Sequence, residues 1–314
     1  MPRQRQTTRI AQPGAQSVHF GMFDGINNQV NHREVKPTQL YAALNVDLDP
    51  LGRPNVRPGR TKIVSAVKPH SLFSDGVTLL YVQGGTLKSL DVKDNSSTVL
   101  RQNVGDNSMS YAAVNGMVFY TNGAVIGYVK DGADYTFQEP IEPYRSVPLP
   151  GQVIGYYRGS LYICRGNEIQ ITEVLQFNEV DTRYGLKVLP DPITMVAPVE
   201  DGIWFATEKN IYFVEGTDPD KMVLRNMASY GNVSGSFSYI DSRLFGHKDD
   251  DPAAQPIRLG GKLIIFPTTN GLCWATNNGG FGNLTARKYA FPAFTRWASV
   301  FVQGSTNKFV CSSY

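Results

Sequence analysis

The side chains that could carry out catalysis or bind a metal are few in this sequence, and they are scattered. The chain contains four histidines, at His19, His32, His70 and His247. None has the second histidine and the glutamate that a helical zinc-protease motif places within about one turn. His247 and Lys248 precede three aspartates, but a run of charges in a polar loop is typical of a solvated segment. We therefore predict no metal site and no cofactor.

The motifs of common enzyme classes are also missing. The segment GNVSGS at 231–236 does not have the spacing of a nucleophile elbow, and GGFGNL at 279–284 lacks the strand–helix–strand context of dinucleotide binding. Glycoside hydrolysis needs two carboxylates a few ångströms apart. The candidate acids at predicted turns and strand ends are Glu168, Glu173, Glu200 and Glu208. Nothing in the pattern pairs any two of them, so the sequence favours a protein that is not an enzyme.

Charge is distributed unevenly between the N-terminal segment and the rest of the chain. Residues 1–23 hold three of the 30 basic residues and none of the 27 acidic ones, so the remainder is neutral. A basic segment of this kind contacts nucleic acid, an acidic protein face or only water. We predict that it contacts a partner through Arg3, Arg5, Arg9, Phe20 and Phe23.

A phrase of apolar residues opened by a glycine recurs six times along the chain. Examples are RGSLYICRGNEIQITEV from Arg158 and DGIWFATEKNIYFVEG from Asp201. The opening glycines, spaced by 40, 43, 43, 59 and 43 residues, are Gly76, Gly116, Gly159, Gly202, Gly261 and Gly304. The long interval contains a polar insertion at residues 241–256, in which His247 and Lys248 are further predicted contacts with a partner. A fixed period of this length indicates one structural unit repeated six times.

Each unit has the pattern of four short antiparallel strands joined by tight turns. Alternation of Val, Ile, Tyr and Phe predicts strands, and Asn-Gly and Asp-Gly pairs predict type I′ turns. Four strands in about 40–45 residues make a propeller blade, whose sheet buries both faces only between two neighbours. We therefore predict an all-β chain with a β-propeller of six blades, or seven if residues 175–195 or 217–258 hold extra strands. N-terminal strands within residues 43–64 would close the last blade.

Residues 20–64 resemble the opening of tailed-bacteriophage virion proteins. The matching elements are GINN at 25–28, LYAALNVDLDPLGR at 40–53 and RPGRT at 57–61. Proteins of that group have a short helix-like segment here, which Thr38 would cap in this chain, and β-propeller modules follow it. In that group the propellers serve as nozzle, hub or tail-tip components. The resemblance implies a virion protein that is made in the host cytoplasm and assembles with other tail or connector proteins.

The pattern and the resemblance together predict an extended N-terminal arm, residues 1–36, and a single β-propeller domain, residues 37–314. We expect a homo-oligomer or ring in the virion, with DNA passing it without specific binding. A nozzle that contacts DNA directly would have lysines and arginines lining its channel. The sequence shows no apolar run long enough to span a membrane. An alternative is a receptor- or glycan-binding tail-tip propeller, and a further one is a tail-borne glycan hydrolase.

Overall fold

The computed structural model of the chain describes residues 22–49, 51–57, 59, 68–219, 221–234, 237–241, 261–286, 288–290, 296–302 and 308–313. The chain divides into two compact units, one ending at Gly59 and one beginning at Arg60. Every regular element in the described ranges is a β-strand. None of these ranges contains a helix with the length and apolarity needed to span a membrane.

The first unit is built on a short hairpin of β1 (Val46–Leu48) and β2 (Pro54–Val56), which pair antiparallel. Asp49 organises the turn: its Oδ1 accepts the backbone N–H of Leu51 at 2.9 Å and of Arg53 at 2.8 Å. The Arg53 side chain returns to Asp49 Oδ2 at 3.0 Å. An Asx turn of this kind holds a hairpin with local bonds alone.

The segment 23–27 folds against residues 38–40 and against the hairpin turn. Asn27 N donates to Leu40 O and Leu40 N donates to Gly25 O, both at 2.8 Å, while Phe23 N donates to Gly52 O at 2.8 Å. The prediction of a helix capped by Thr38 is wrong, because this stretch is bonded alongside residues 24–27 instead. Thr38 O, for example, accepts Asp24 N at 2.7 Å.

The second unit contains five sheets of at least four strands, which correspond to the first five sequence repeats. Blade 1 is formed by β3 (His70–Ser74), β4 (Leu79–Gln83), β5 (Thr86–Leu90) and β6 (Ser97–Arg101). Blade 2 is formed by β7 (Ser110–Val114), β8 (Met117–Thr121), β9 (Ile126–Lys130) and β10 (Ala133–Tyr135). Blade 3 is formed by β11 (Arg145–Ser146), β12 (Val153–Tyr157), β13 (Ser160–Arg165), β14 (Glu168–Glu173), β15 (Gln176–Asp181) and β16 (Leu186–Val188).

Blade 4 is formed by β17 (Ile193–Pro198), β18 (Gly202–Thr207), β19 (Ile211–Glu215) and β20 (Val223–Ala228). Blade 5 is formed by β21 (Ser238–Asp241), β22 (Lys262–Thr268), β23 (Gly271–Thr276) and β24 (Phe281–Asn283). In each blade four strands follow one another as an antiparallel meander, and we call the strand that begins it the first strand: β3, β7, β12, β17 and β21, since β11 is an added edge strand. The first strands of neighbouring blades contact one another, as β12 lies against both β7 and β17. This is the arrangement of a β-propeller, with first strands at its centre.

The prediction of six blades, or of seven, is wrong, because the described residues form five. Within the described residues the sixth repeat forms only a two-stranded sheet, β25 (Trp297–Val302) with β26 (Lys308–Ser313). Residues 175–195 hold β15 and β16, which both belong to blade 3, and the start of β17. The N-terminal strands that we expected to close the last blade are β1 and β2, and they pair with each other. The Asp49 turn and an ion pair from Arg57 to Asp47 at 2.6 Å hold them in their own hairpin.

The glycines that open the repeated phrases lie between the first and second strands of the blades. Four of them have positive φ, from 74° to 111°, namely Gly76, Gly116, Gly159 and Gly261. Asn115 and Gly116 have φ of 51° and 74°, as the predicted type I′ turn requires. Gly202 begins β18, and Gly304 lies outside the described residues. The repeated glycine therefore marks the connection between the first and second strands of a blade.

The core of the second unit is divided into clusters, each of which lies between two neighbouring sheets. The second strands of blades 2 to 5 each contribute to two clusters at once. On β18, Ile203 and Phe205 pack towards blade 3, whereas Trp204 and Ala206 pack towards blade 5. This explains why second strands are unbroken apolar runs: a sheet buried on both faces has no solvent side for polar residues.

Backbone hydrogen bonds also join each blade to the connection that leads to the next one. In blades 1 to 4 one partner of each bond lies at or beside the turn between the second and third strands. The other partner lies in the connection to the next blade or at its end. The pairs are Val104 N to Gly85 O (2.8 Å), Gly123 N to Gly151 O (2.7 Å), Ile193 N to Gly166 O (2.8 Å) and Asn232 N to Thr207 O (3.0 Å). These bonds satisfy backbone groups that the strand pairings within each blade do not use and join each blade to the segment that leads to the next one.

A polar contact connects blades 1 and 2 at their outer strands. Arg101 Nη1 donates to Tyr120 OH at 2.9 Å, and Tyr120 OH donates to Asp134 Oδ1 at 2.5 Å. Burial raises the pKa of the Tyr120 phenol, so it stays protonated and available as a donor. Burial also raises the pKa of the Asp134 carboxyl. The Arg101 guanidinium compensates the charge of this carboxylate across the blade boundary.

His70 connects the same two blades near the centre. Its Nδ1 lies 2.9 Å from Ser71 Oγ, which accepts Met109 N from the blade 2 side at 2.8 Å. Burial lowers the pKa of His70. The negative charge of Asp106 raises this pKa, and the positive charge of Arg296 lowers it further. Because the folded-state pKa lies below the unfolded value of about 6.5, the contribution of neutral His70 is present above that pH and is lost as the pH falls through the folded pKa.

We expect His70→Gln to flatten the pH dependence of stability between pH 7.5 and pH 5.5. Urea unfolding at the two pH values measures this, and His32→Gln, which replaces an exposed histidine, is the matched control. The native chain and the control should lose stability on acidification by the same amount, and His70→Gln by less. An equal loss in all three proteins would contradict the assignment.

Candidate interaction surface

Blade 3 has additional strands at its outer edge. β11 pairs with the end of β15, with Arg145 opposite Asp181 and Ser146 opposite Val180. β16 pairs with the first half of β14, whose second half pairs with β15. The connection that carries β11, residues 136–152, contains four prolines, which have no backbone N–H and restrict sheet pairing to a short stretch. The outer edge of blade 3 therefore carries two strands that the other blades lack, and a proline-rich connection leads into it.

Tyr144, the residue before β11, has a left-handed backbone with φ of 64°. This conformation costs a residue with a Cβ about 1–2 kcal/mol and persists only where surrounding contacts impose it. Thr182 supplies them, because its backbone N and its Oγ1 both donate to Tyr144 O, at 2.9 and 3.1 Å. These bonds fix the backbone from which the Tyr144 side chain projects.

Asp181, at the end of β15, organises the charged side chains around Tyr144. Arg183 donates to it from Nε at 3.1 Å and from Nη2 at 2.8 Å, and Arg145 Nη1 lies 3.6 Å from its Oδ2. Arg145 also forms a short ion pair with Glu173. The hydrogen bonds from Arg183, with the charge of Arg145, hold the pKa of Asp181 well below its usual range. The carboxylate stays charged and keeps both guanidinium groups oriented.

The Arg183 guanidinium stacks on two aromatic rings. It lies 4.7 Å from the ring centre of Tyr144 and 5.3 Å from that of Tyr184. Both rings are largely exposed, at 62% and 67%, and Ile141 in the same connection is fully exposed. We call Ile141, Tyr144, Arg183 and Tyr184 the blade 3 edge patch.

The chemistry of the blade 3 edge patch suits contact with another protein. Tyr and Arg are enriched among the residues that contribute most of the free energy of protein association. Here Asp181 fixes the Arg183 side chain and Thr182 fixes the backbone of Tyr144, so binding would lose less entropy than at a surface without such bonds. Ile141, three residues before Tyr144 in the same connection, is a further exposed apolar side chain.

Most of the sequence-predicted partner residues cannot be compared with this patch. Arg3, Arg5, Arg9, Phe20, His247 and Lys248 lie outside the described residues, as does most of the predicted insertion 241–256. Phe23 is half-buried, and its backbone N donates to Gly52 in the first unit.

The blade 3 edge patch was not among the sequence predictions. The sequence does contain a signal for it. Tyrosine and arginine are adjacent in Tyr144-Arg145 and, in the opposite order, in Arg183-Tyr184. Their partnership depends on the pairing of β11 with β15 and could not be inferred from spacing.

Two pairs of the candidate catalytic acids are each separated by the length of a strand. Glu168 and Glu173 lie at opposite ends of β14, and Glu200 and Glu208 flank opposite ends of β18. Glu173 is engaged by Arg145. Among the described residues no group of three or more His, Cys, Asp or Glu side chains is placed to hold a metal ion.

The centre of the propeller carries little charge. The first strands of the five blades and β25 contain no lysine or arginine and a single acidic residue, Asp241. Basic side chains are what would hold a phosphate backbone. The described first strands therefore do not supply the lining expected of a nozzle that contacts DNA directly.

No protein-family model matches the sequence, and no curated protein matches it. Similar solved structures include the WD40 β-propeller domain of Doa1, with 11% identity and a TM-score of 0.41 over 67% of this chain and 65% of that one. The extracellular domain of BT3049 from B. thetaiotaomicron has 13% identity and a TM-score of 0.50, over 83% of this chain and 34% of that one. The AfRom2 CNH domain has 10% identity and a TM-score of 0.43, over 85% and 84%. At these identities the likeness concerns the fold alone.

Proposed function

We propose that the chain is a structural protein of a tailed-bacteriophage virion, placed in the tail and assembled by protein–protein contacts. The observation that carries the proposal is the N-terminal phrase of residues 20–64, which resembles the opening of such proteins. The described part of this phrase belongs to a compact unit separate from the propeller. In this proposal the unit and the basic arm before it bind neighbouring tail or connector proteins, and several copies form a ring.

The blade 3 edge patch supports a mechanical role for the propeller. Closed blades have few free edges, so contacts between propellers must come from loops, outer edges and terminal segments. This patch is an outer edge that combines exposed aromatic and apolar groups with an arginine already held in place. An enzymatic role receives no such support from the described residues, in which Glu168 and Glu173 lie at opposite ends of β14 and Glu200 and Glu208 at opposite ends of β18.

The double replacement of Tyr144 and Tyr184 by serine is expected to lower incorporation into particles at least tenfold. Two interface aromatic residues of about 2 kcal/mol each exceed the ~1.4 kcal/mol that corresponds to a factor of ten. Quantitative immunoblotting of purified particles against the total soluble chain measures incorporation. Both rings are exposed, so the variant should fold.

The matched control replaces Val99 and Leu224 by serine, since these residues are exposed to 50% and 48% on the outer strands of blades 1 and 4. The control should incorporate like the native chain. Normal incorporation of the tyrosine variant would show that this patch is not a contact, and absence of the native chain from purified particles would refute the virion role itself.

A further inference from the structure

A cleft of about 280 Å³ lies between the outer parts of blades 2 and 3. Its aromatic lining comes from Phe119 on β8, Tyr128 on β9, Phe137 in the following connection and Phe177 on β15. Phe119 is 1% exposed and forms the buried end of this set, whereas the other three rings are half-buried. The cleft is large enough for one small ring and is at the lower end of the sizes of ligand pockets.

The four rings support one another, so the lining is preorganised. The ring centres of Phe119 and Phe177 are 4.9 Å apart in an edge-on arrangement, and those of Phe119 and Phe137 are 6.1 Å apart and nearly parallel. Tyr128 lies 5.9 Å from Phe137. Contacts of this kind are favourable for aromatic pairs and keep the rings in place when the cleft is empty.

The polar groups of the lining are neutral amides and a hydroxyl, supplied by Gln138, Asn178 and Thr136. Asn178 Nδ2 donates weakly to Gln138 O at 3.4 Å. The side-chain amide of Gln138 makes no hydrogen bond within the described part of the chain and is exposed. Each amide offers donors and an acceptor, which matches a ligand with hydroxyl groups.

The absence of charge from the lining restricts the ligand class. None of the nine described lining residues is acidic or basic. A phosphate or carboxylate would require arginine or lysine, and single-stranded nucleic acid would require a basic groove beside the aromatic rings. A quaternary ammonium group would be attracted by the ring faces, but no carboxylate in the lining would compensate its charge.

Leu175 forms part of the rim and is held there by a strained backbone. Its φ is 61°, it is 64% exposed, and its N donates to Gly159 O at 2.8 Å. A leucine in the left-handed region is uncommon, and such strain is retained where the surrounding structure imposes it. The turn thus presents an apolar side chain at the mouth of the cleft instead of withdrawing it.

We propose that this cleft binds a neutral pyranose ring of a glycan. The apolar C–H face of such a ring packs on aromatic side chains, and its hydroxyl groups bond to amides such as those of Gln138 and Asn178. An apolar side chain of a partner protein would leave the two amides without hydrogen-bond partners. A charged ligand would meet no opposite charge in the lining. The proposal concerns the isolated chain and does not depend on the virion role.

Saturation-transfer NMR on the full chain tests the proposal, with glucose, galactose, mannose and N-acetylglucosamine as probes. A single ring in a small cleft binds with a dissociation constant on the order of 1 mM. We expect transfer to at least one of the four sugars. Combined replacement of Gln138 and Asn178 by alanine should reduce its affinity at least fivefold, and Phe137→Leu should do the same by removing the ring.

The matched control is Gln102→Ala, which removes an exposed amide from the segment after β6 in blade 1, away from the cleft. It should bind like the native chain, and thermal unfolding should show that all variants are folded. No transfer to any of the four sugars would overturn the proposal. So would transfer that is unchanged in both cleft variants, or transfer that falls equally in the Gln102→Ala control.

Discussion

Replacement of Trp204 by alanine is expected to lower the free energy of unfolding by about 3–5 kcal/mol, a large part of the roughly 5–15 kcal/mol of a typical domain. Trp204 is fully buried on β18 and packs between blades 4 and 5, with its ring centre 4.8 Å from that of Phe213. Its Nε1 donates to Thr276 O at 2.8 Å across the blade boundary. The alanine variant therefore leaves a large cavity and an unpaired carbonyl group.

Trp204→Phe separates these two contributions. It retains an aromatic ring and removes the N–H donor, so a loss of about 1–3 kcal/mol is expected from the unsatisfied Thr276 carbonyl and the lost volume. Urea unfolding of the two variants and the native chain gives the three free energies. A loss below about 1 kcal/mol for the alanine variant would mean that blades 4 and 5 are not packed as described.

Gly231→Ala is expected to destabilise the chain by about 1–3 kcal/mol, because the added methyl group has no room. Gly231 lies in the connection from blade 4 to blade 5, and a Cβ there would overlap the backbone carbonyl of Glu208. Thr269 N also donates to Gly231 O at 3.0 Å, which prevents the connection from moving outward freely. For a chain of this size the loss corresponds to a fall of roughly 2–4 °C in Tm per kcal/mol.

Gly59→Ala is the matched control for this prediction. Gly59 has no positive φ, and a Cβ there would meet nothing within 4 Å. Its replacement should leave the thermal midpoint unchanged. If Gly231→Ala behaved like the control, the close approach between the blade 4 turn and this connection would be refuted.

The repeated blade could be predicted from the sequence because its determinants are local. Asn115-Gly116 specifies a tight turn through the backbone freedom of two residues, and the run IWFA at 203–206 specifies a strand buried on both faces. Five successive copies of this pattern became five sheets. Neither inference required knowledge of which residues are neighbours in space.

The number of blades could not be predicted, because closure depends on a competition between pairings. The extended runs before residue 60 were expected to pair with the last repeat. Asp49 and the Asp47–Arg57 ion pair instead favour pairing of β1 with β2 across a turn of a few residues, and a short loop loses less entropy on closure than a long one. Strand propensity alone does not decide between such alternatives.

The blade 3 edge patch was beyond the reach of sequence patterns for a similar reason. Tyr144 and Arg183 are far apart in the chain and meet because β11 adds to the edge of β15. A two-residue strand has no periodicity, and the prolines around it predicted only a connection. The Tyr-Arg dipeptides were visible, but their stacking was not.

Electron microscopy of particles assembled with a gold-labelled tag on this chain tests the central claim most directly. The claim is that the propeller is a fixed part of a virion tail, held by protein contacts. We predict label at one position on the tail in most particles, at either the head-proximal end or the distal tip. Unlabelled particles from a lysate in which the tagged chain is abundant and folded would contradict the claim.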